Sequence, residues 1–172
     1  LLLNIQPGDE VIVPSYTFVS TVNAFALRGA HLVFADSTAL NHNIDPEAIR
    51  ALITPRTKAI VVVHYAGMAC DMEAIMQMAN EHQLFVVEDA AQAIDSYYKG
   101  SPLGTFGTFS AFSFHDTKNI TCGEGGLLVV NDNKYIDKAQ KYAYKSESRI
   151  QKSAEIGNRG NLLHGQFQRI SE

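Results

Sequence analysis

The chain has 172 residues, 46% of them hydrophobic and 19% charged, which suits one globular domain and excludes the disordered, collagenous and low-complexity classes. Lys and Arg number 14 against 18 Asp and Glu, a formal net charge of −4, so no basic excess exists to attract nucleic acid or anionic lipid. Two cysteines, Cys70 and Cys122, make no disulfide framework and fit a reducing cytoplasm, and the longest apolar run, Ala59 to Val63, is far short of the roughly 20 residues of a membrane span.

Leu1-Leu2-Leu3-Asn4-Ile5 lacks both an initiator Met and the basic segment of a signal peptide, and reads as the tail of a helix from a longer protein. Pro7-Gly8-Asp9 is a turn signal, and Glu10 to Val13 a short strand ended by Pro14. Phe18, Val22, Phe25 and Ala26 fall at helical spacing, with Gly29 as the stop. His31 to Phe34 reads as a strand. Asp45-Pro46 then offers an N-cap with Pro at the first helical position, for a helix carrying Ile49, Leu52 and Ile53 on one face.

Ala59 to Val63 is unbroken and mostly β-branched, as a parallel strand covered on both faces requires. Asp71 caps a helix whose Met72, Met76 and Met78 read as packing residues. Leu84 to Val87, Phe109 to Phe114 and Leu127 to Val130 read as further strands, and Asp132 opens a last helix running to about Tyr142. The alternation predicts an α/β fold, a mostly parallel, doubly wound sheet with helices on both faces and ligands at the carboxyl ends of its strands.

Three segments carry the chemistry. Glu88-Asp89 delivers two carboxylates at a strand end, and such a pair on its own most simply caps a following helix. Ser113-Phe114-His115-Asp116-Thr117-Lys118-Asn119 places a hydroxyl, an imidazole and an amine past an aromatic strand. A lone Lys118 there would be a solvated loop residue. Gly123-Glu124-Gly125-Gly126 permits a tight backbone, but follows neither the P-loop nor the dinucleotide-binding spacing. In combination, an acid after one strand and a lysine after a later one are what pyridoxal phosphate chemistry needs. The acid keeps the pyridine nitrogen protonated and the lysine holds the cofactor as a Schiff base.

These segments, with Pro14-Ser15-Tyr16-Thr17-Phe18-Val19-Ser20-Thr21 and Val63-His64-Tyr65-Ala66-Gly67, resemble the DegT-type sugar-nucleotide aminotransferases, over roughly residues 1 to 145. The resemblance implies the large domain of a fold-type I pyridoxal phosphate enzyme. It implies that Lys118 is the Schiff-base lysine and proton shuttle, and that Asp89 partners the pyridine nitrogen. Gln92, one helical turn on, would contact the phenolic oxygen, Ser113 the phosphate, and Phe18 would stack on the ring. Lysine rather than histidine at 118 favours transamination over the dehydration of related members.

Within the family the sequence is most similar to members that transfer the amino group of glutamate to a dTDP-linked 4-keto-6-deoxy sugar, for surface polysaccharide such as enterobacterial common antigen. The alternatives are another keto nucleotide sugar, or an inactive truncated remnant. The family further implies pyridoxal 5'-phosphate as cofactor, a cytoplasmic location, and a homodimer for the full-length protein, with neither nucleic acid nor membrane as partner. Residues 1–145 are read as the cofactor-binding core and 146–172 as a divergent tail; in the run Ala143 to Arg149 only Lys145 and Arg149 keep the family pattern. His64 is read either as a site contact or as a hydrogen-bonded structural histidine. His64, Cys70 and His82 are too scattered in sequence to suggest zinc.

Overall fold

The computed structural model describes residues 1–143; the expectations for Lys145, Arg149 and the 146–172 tail lie outside the described residues. Strand β1 (Glu10–Pro14) leads through helix α1 (Val19–Ala26) to β2 (His31–Ala35). Helix α2 (Pro46–Leu52) then precedes β3 (Thr57–Val63), and α3 (Met72–Glu81) precedes β4 (Phe85–Asp89). A small hairpin of β5 (Tyr97–Tyr98) and β6 (Ser101–Pro102) intervenes before β7 (Phe109–Ser113) and β8 (Gly126–Val130). Asp132 caps a 3₁₀ turn, Asn133–Tyr135, that runs into helical residues at 136–143.

The main sheet has the order β2-β1-β3-β4-β7-β8. Every pairing in it is parallel except β7 with β8, which is antiparallel. The chain starts at β1, moves one way to β2, then crosses back over β1 to β3. That reversal requires its connecting helices to lie on opposite faces. Accordingly Val22 and Phe25 of α1 pack with Val11, Val13, Ala59 and Val61 on one face. Ile49 of α2 and Met72, Ile75 and Met78 of α3 pack with Ile12, Ile60 and Val62 on the other. Alternate residues of β1 and β3 thus feed two cores, which is why both strands read as continuous apolar runs. The expected helices on both faces are present, and the methionines of α3 serve packing as expected.

Local signals account for the element ends. The Asp45 side chain accepts the Glu47 N–H at 3.0 Å with Pro46 at the first helical position, and the Asp71 side chain accepts the Ala74 N–H at 3.2 Å. Two expectations fail. Leu1 to Ile5 hold no helix. They form a turn closed by Asn4 N–H to the Leu1 carbonyl at 3.2 Å, and Leu3 and Ile5 plug the α1-side core. No α-helix follows β4 either; residues 90–96 are a succession of turns. Glu88 and Asp89 are therefore not helix caps, and Gln92 does not sit one helical turn beyond Asp89. Ala90 N–H instead joins the Ala111 carbonyl of β7 at 2.8 Å, extending the sheet past the end of β4, and turns follow, closed by Ala93 N–H to the Ala90 carbonyl and Ser96 N–H to the Ala93 carbonyl.

Candidate active site

Parallel register brings the carboxyl ends of neighbouring strands side by side: Val63 of β3 pairs with Asp89 of β4, and Asp89 with Ala111 of β7. Above these ends, next to the β1/β3 reversal, opens a cleft of about 1020 Å³. Ligands of open α/β sheets bind at such a reversal. Phe18, Asp89, Gln92, Ser113 and Lys118, the five residues expected from sequence, all line this one cleft.

Asp89 is the last residue of β4, and consecutive strand residues face opposite ways. Asp89 faces the cleft, half-buried, with Oδ2 accepting the Thr21 hydroxyl at 2.7 Å and Oδ1 accepting the Ala91 N–H at 3.1 Å. Its neighbour Glu88 is fully buried on the other side. Glu88 Oε1 accepts N–H groups of Phe106 (2.8 Å) and Gly107 (2.6 Å). Oε2 accepts Gly104 N–H at 2.8 Å and contacts His64 Nε2 at 3.0 Å. The Cys70 N–H donates to His64 Nδ1 at 3.2 Å, so the ring proton sits on Nε2 and is given to Glu88. His64 is thus a structural histidine, the second of its two readings. Of the sequence pair, one carboxylate holds the fold and the other faces the site.

Lys118 lies in the loop between β7 and β8. Phe114 N–H to the Gly125 carbonyl (2.8 Å) and Cys122 N–H to the Phe114 carbonyl (3.0 Å) close the base of that loop. His115 bridges Asp116 at 2.8 Å and Glu124 at 3.5 Å, tying the lysine segment to the glycine-rich one. Among the described residues the Lys118 amine has no hydrogen bond or ion pair, which leaves it available to a ligand in the cleft. Gly123 takes φ +83°, the left-handed region that the reversal into β8 requires. Ser113 ends β7, and its oxygen accepts the His115 N–H at 3.3 Å while its own hydrogen remains to donate. Gln92 Oε1 accepts the Ala66 N–H at 2.8 Å, which fixes the amide with its NH₂ end uncommitted among the described residues. Phe18, at the N-cap of α1, is 74% exposed and offers a ring face on the cleft wall.

Sequence reasoning missed several participants. Thr21 bonds to Asp89 across 68 positions of chain, and a hydroxyl amid the apolar spacing of Phe18, Val22 and Phe25 was the available signal. Tyr16 and Tyr65 also line the cleft, their hydroxyls 3.3 Å apart. The hydrogen bond with Tyr16 holds the Tyr65 phenol above the ordinary tyrosine range. His42 stacks on Tyr16 with centroids 4.5 Å apart, a contact no sequence spacing announces. A fixed carboxylate, an uncommitted amine, a hydroxyl, an amide and an apolar ring form a donor set that fits pyridoxal phosphate: a cationic ring nitrogen, an aldehyde, a phosphate, a phenolic oxygen and a flat face.

The family model for DegT/DnrJ/EryC1/StrS aminotransferases matches residues 1–167. The chain is 50% identical over 134 residues to the spore coat polysaccharide biosynthesis protein SpsC of Bacillus subtilis, covering 78% of this chain and 34% of SpsC. It is 46% identical over 131 residues to the GDP-perosamine synthase of Caulobacter vibrioides, covering 76% and 35%. Among solved structures, an aminotransferase from Psychrobacter cryohalolentis superposes with TM-score 0.76 at 44% identity, covering 78% of this chain and 34% of that one. The sugar aminotransferase Spr1654 of Streptococcus pneumoniae in its PLP form superposes with TM-score 0.74 at 32% identity, covering 83% and 40%. The chain spans about a third of the length of the curated relatives it matches.

Proposed function

Because the chain belongs to the DegT/DnrJ/EryC1/StrS aminotransferase family, we propose that it is the cofactor-holding part of a pyridoxal phosphate-dependent transaminase of nucleotide sugars. The observation that carries this reading is the convergence of Asp89 and Lys118, from two different strand ends, on one cleft. When bound, pyridoxal phosphate supplies an electron sink through which an amino group and a proton pass between an amino acid and a keto sugar.

The chain's own residues divide the remaining work. Asp89, kept in place by Thr21 and Ala91, offers a negative charge to a protonated ring nitrogen, and its partial burial strengthens that pairing. Lys118 would hold the cofactor through Nζ, and the same nitrogen would serve as general base and acid for the substrate proton. Ser113 would donate its hydroxyl hydrogen to the phosphate, the Gln92 NH₂ would serve the phenolic oxygen, and Phe18 would cover the ring face.

Within the family we assign the whole protein to the transaminases that form dTDP-4-amino-4,6-dideoxygalactose from a 4-keto-6-deoxy sugar and glutamate. It would work as a cytoplasmic homodimer and supply a surface polysaccharide such as enterobacterial common antigen. The names of the two curated relatives, a spore coat polysaccharide protein and a synthase of a GDP-linked sugar, support the polysaccharide part and leave the nucleotide to the assay.

The cofactor test is borohydride reduction after incubation with pyridoxal phosphate, followed by peptide mass spectrometry. The modification is expected on the peptide containing Lys118 and is expected to vanish in Lys118→Ala; attachment elsewhere, or undiminished attachment in Lys118→Ala, overturns the assignment. Glutamate with dTDP-, GDP- and UDP-linked 4-keto-6-deoxy sugars then reads the nucleotide. Product from the GDP or UDP sugar alone displaces the dTDP assignment.

A further inference from the structure

Thr21 occupies the inward side of α1 at 9% exposure, where the helix otherwise presents Val22 and Phe25 to the core. A threonine inside a helix ordinarily returns its hydroxyl hydrogen to a backbone carbonyl three or four residues back. Thr21 does not. Its hydrogen goes to Asp89 Oδ2 at 2.7 Å, since a carboxylate oxygen only accepts. The hydroxyls of Thr21 and Thr17 are 2.8 Å apart, and with Thr21's hydrogen engaged, Thr17 must be the donor between them. The result is a one-way chain, Thr17 to Thr21 to Asp89, with Ala91 N–H holding the other carboxylate oxygen at 3.1 Å.

We infer that Thr21, polarised by Thr17, is a positioning residue that fixes the plane of the Asp89 carboxylate for the cation it receives in the cleft. This rests on the aminotransferase reading above and adds a part to it. Two donors on opposite oxygens stop rotation of the carboxylate, whereas the Ala91 N–H, reaching back only two residues, leaves Oδ2 unrestrained. Each carboxylate oxygen has a second lone pair, so positioning by Thr21 does not use up the capacity of Asp89 to pair with a ring nitrogen. The branched Thr21 side chain has few rotamers in a helix, which makes it a rigid donor.

The experiment compares the full chain with Thr21→Val, Thr21→Ser and Thr17→Val. Affinity for pyridoxal 5'-phosphate is measured by absorbance titration. Without cofactor, the side-chain carboxyl carbon of Asp89 is followed by ¹³C NMR. Thr21→Val keeps the shape and loses the donor, so its affinity is expected to fall about tenfold, in the range of one charge-assisted hydrogen bond. Thr21→Ser restores the donor and should stay within about twofold of the parent, with Thr17→Val between the two. The Asp89 carbon resonance is expected to move in Thr21→Val and to return in Thr21→Ser. Parent-like affinity and an unmoved resonance in Thr21→Val overturn the inference, as does a Thr21→Ser variant no better than Thr21→Val. Failure of the parent chain itself to bind the cofactor overturns the aminotransferase reading and this inference with it, an outcome distinct from equal binding by parent and variant.

Discussion

Replacing Glu88 with Gln changes one atom in a buried cage and leaves its volume alone, so the cost isolates hydrogen bonding. Four donors converge on the carboxylate: Phe106 and Gly107 N–H on one oxygen, Gly104 N–H and His64 Nε2–H on the other. A glutamine has one oxygen and one NH₂. Whichever way the amide turns, its NH₂ meets two donors. His64 cannot relieve the clash by moving its proton to Nδ1, because Nδ1 accepts from Cys70 N–H at 3.2 Å and that donor would then be orphaned. Two unmatched buried donors at about 1–3 kcal/mol each, less relaxation of the 104–107 turn, give an expected destabilisation of about 3 kcal/mol. With a urea dependence of about 2 kcal/mol per molar, the midpoint should drop by about 1.5 M. Equilibrium urea unfolding followed by circular dichroism measures it. A loss below about 1 kcal/mol would refute the reasoning, since the cage would then have an alternative arrangement that satisfies its donors.

Other consequences can be checked in the same chain. Gly107→Ala puts a Cβ about 2.6 Å from the Val86 carbonyl oxygen, a backbone atom that cannot swing aside, so a loss of about 1–3 kcal/mol is expected in the same unfolding experiment. Glu10 is held below the ordinary glutamate range by hydrogen bonds from Thr54 and Arg56. A depressed carboxylate stabilises the fold above its unfolded pKa of about 4.3, and that contribution is lost as pH falls through the lower folded value. Glu10→Gln should therefore narrow the stability gap to the parent as the pH is lowered, and a gap independent of pH would contradict it. Burial pushes the Cys70 thiol up to about 12, whereas Cys122 is exposed. Thiol titration near pH 8 should count one fast cysteine in the folded chain and two in denaturant; two fast thiols in the folded chain would contradict the burial of Cys70.

The elements that packing dictates were plain in the sequence. The run Ala59 to Val63 could only be a strand covered on both faces, and Asp45-Pro46 could only open a helix. That Asp89 and Lys118 share one cleft was readable because each motif travels with its strand end. What the sequence concealed depends on distant partners. Glu88 and Asp89 are adjacent and chemically alike, and only the pleat of β4 sends one inward to the 104–107 turn and the other toward the cleft. Local propensity allows a helix after Asp89. The chain instead adds one more bond to β7, from Ala90 to Ala111, and continues in turns, a choice made by a partner strand that local sequence does not reveal. Nothing local to α1 announces the partner of Thr21, because that partner, Asp89, lies in β4.

The order of strands also bears on how the molecule comes into being. Strand β2 joins one side of β1, and β3, β4, β7 and β8 then add to the other side one after another in the order in which they are translated. Among the described residues these strands can thus be laid down in order of synthesis, with no later one inserted between strands already paired. Asp89 arrives with β4 and Lys118 only after β7, so the two cleft residues come together once β7 has joined the sheet beside β4.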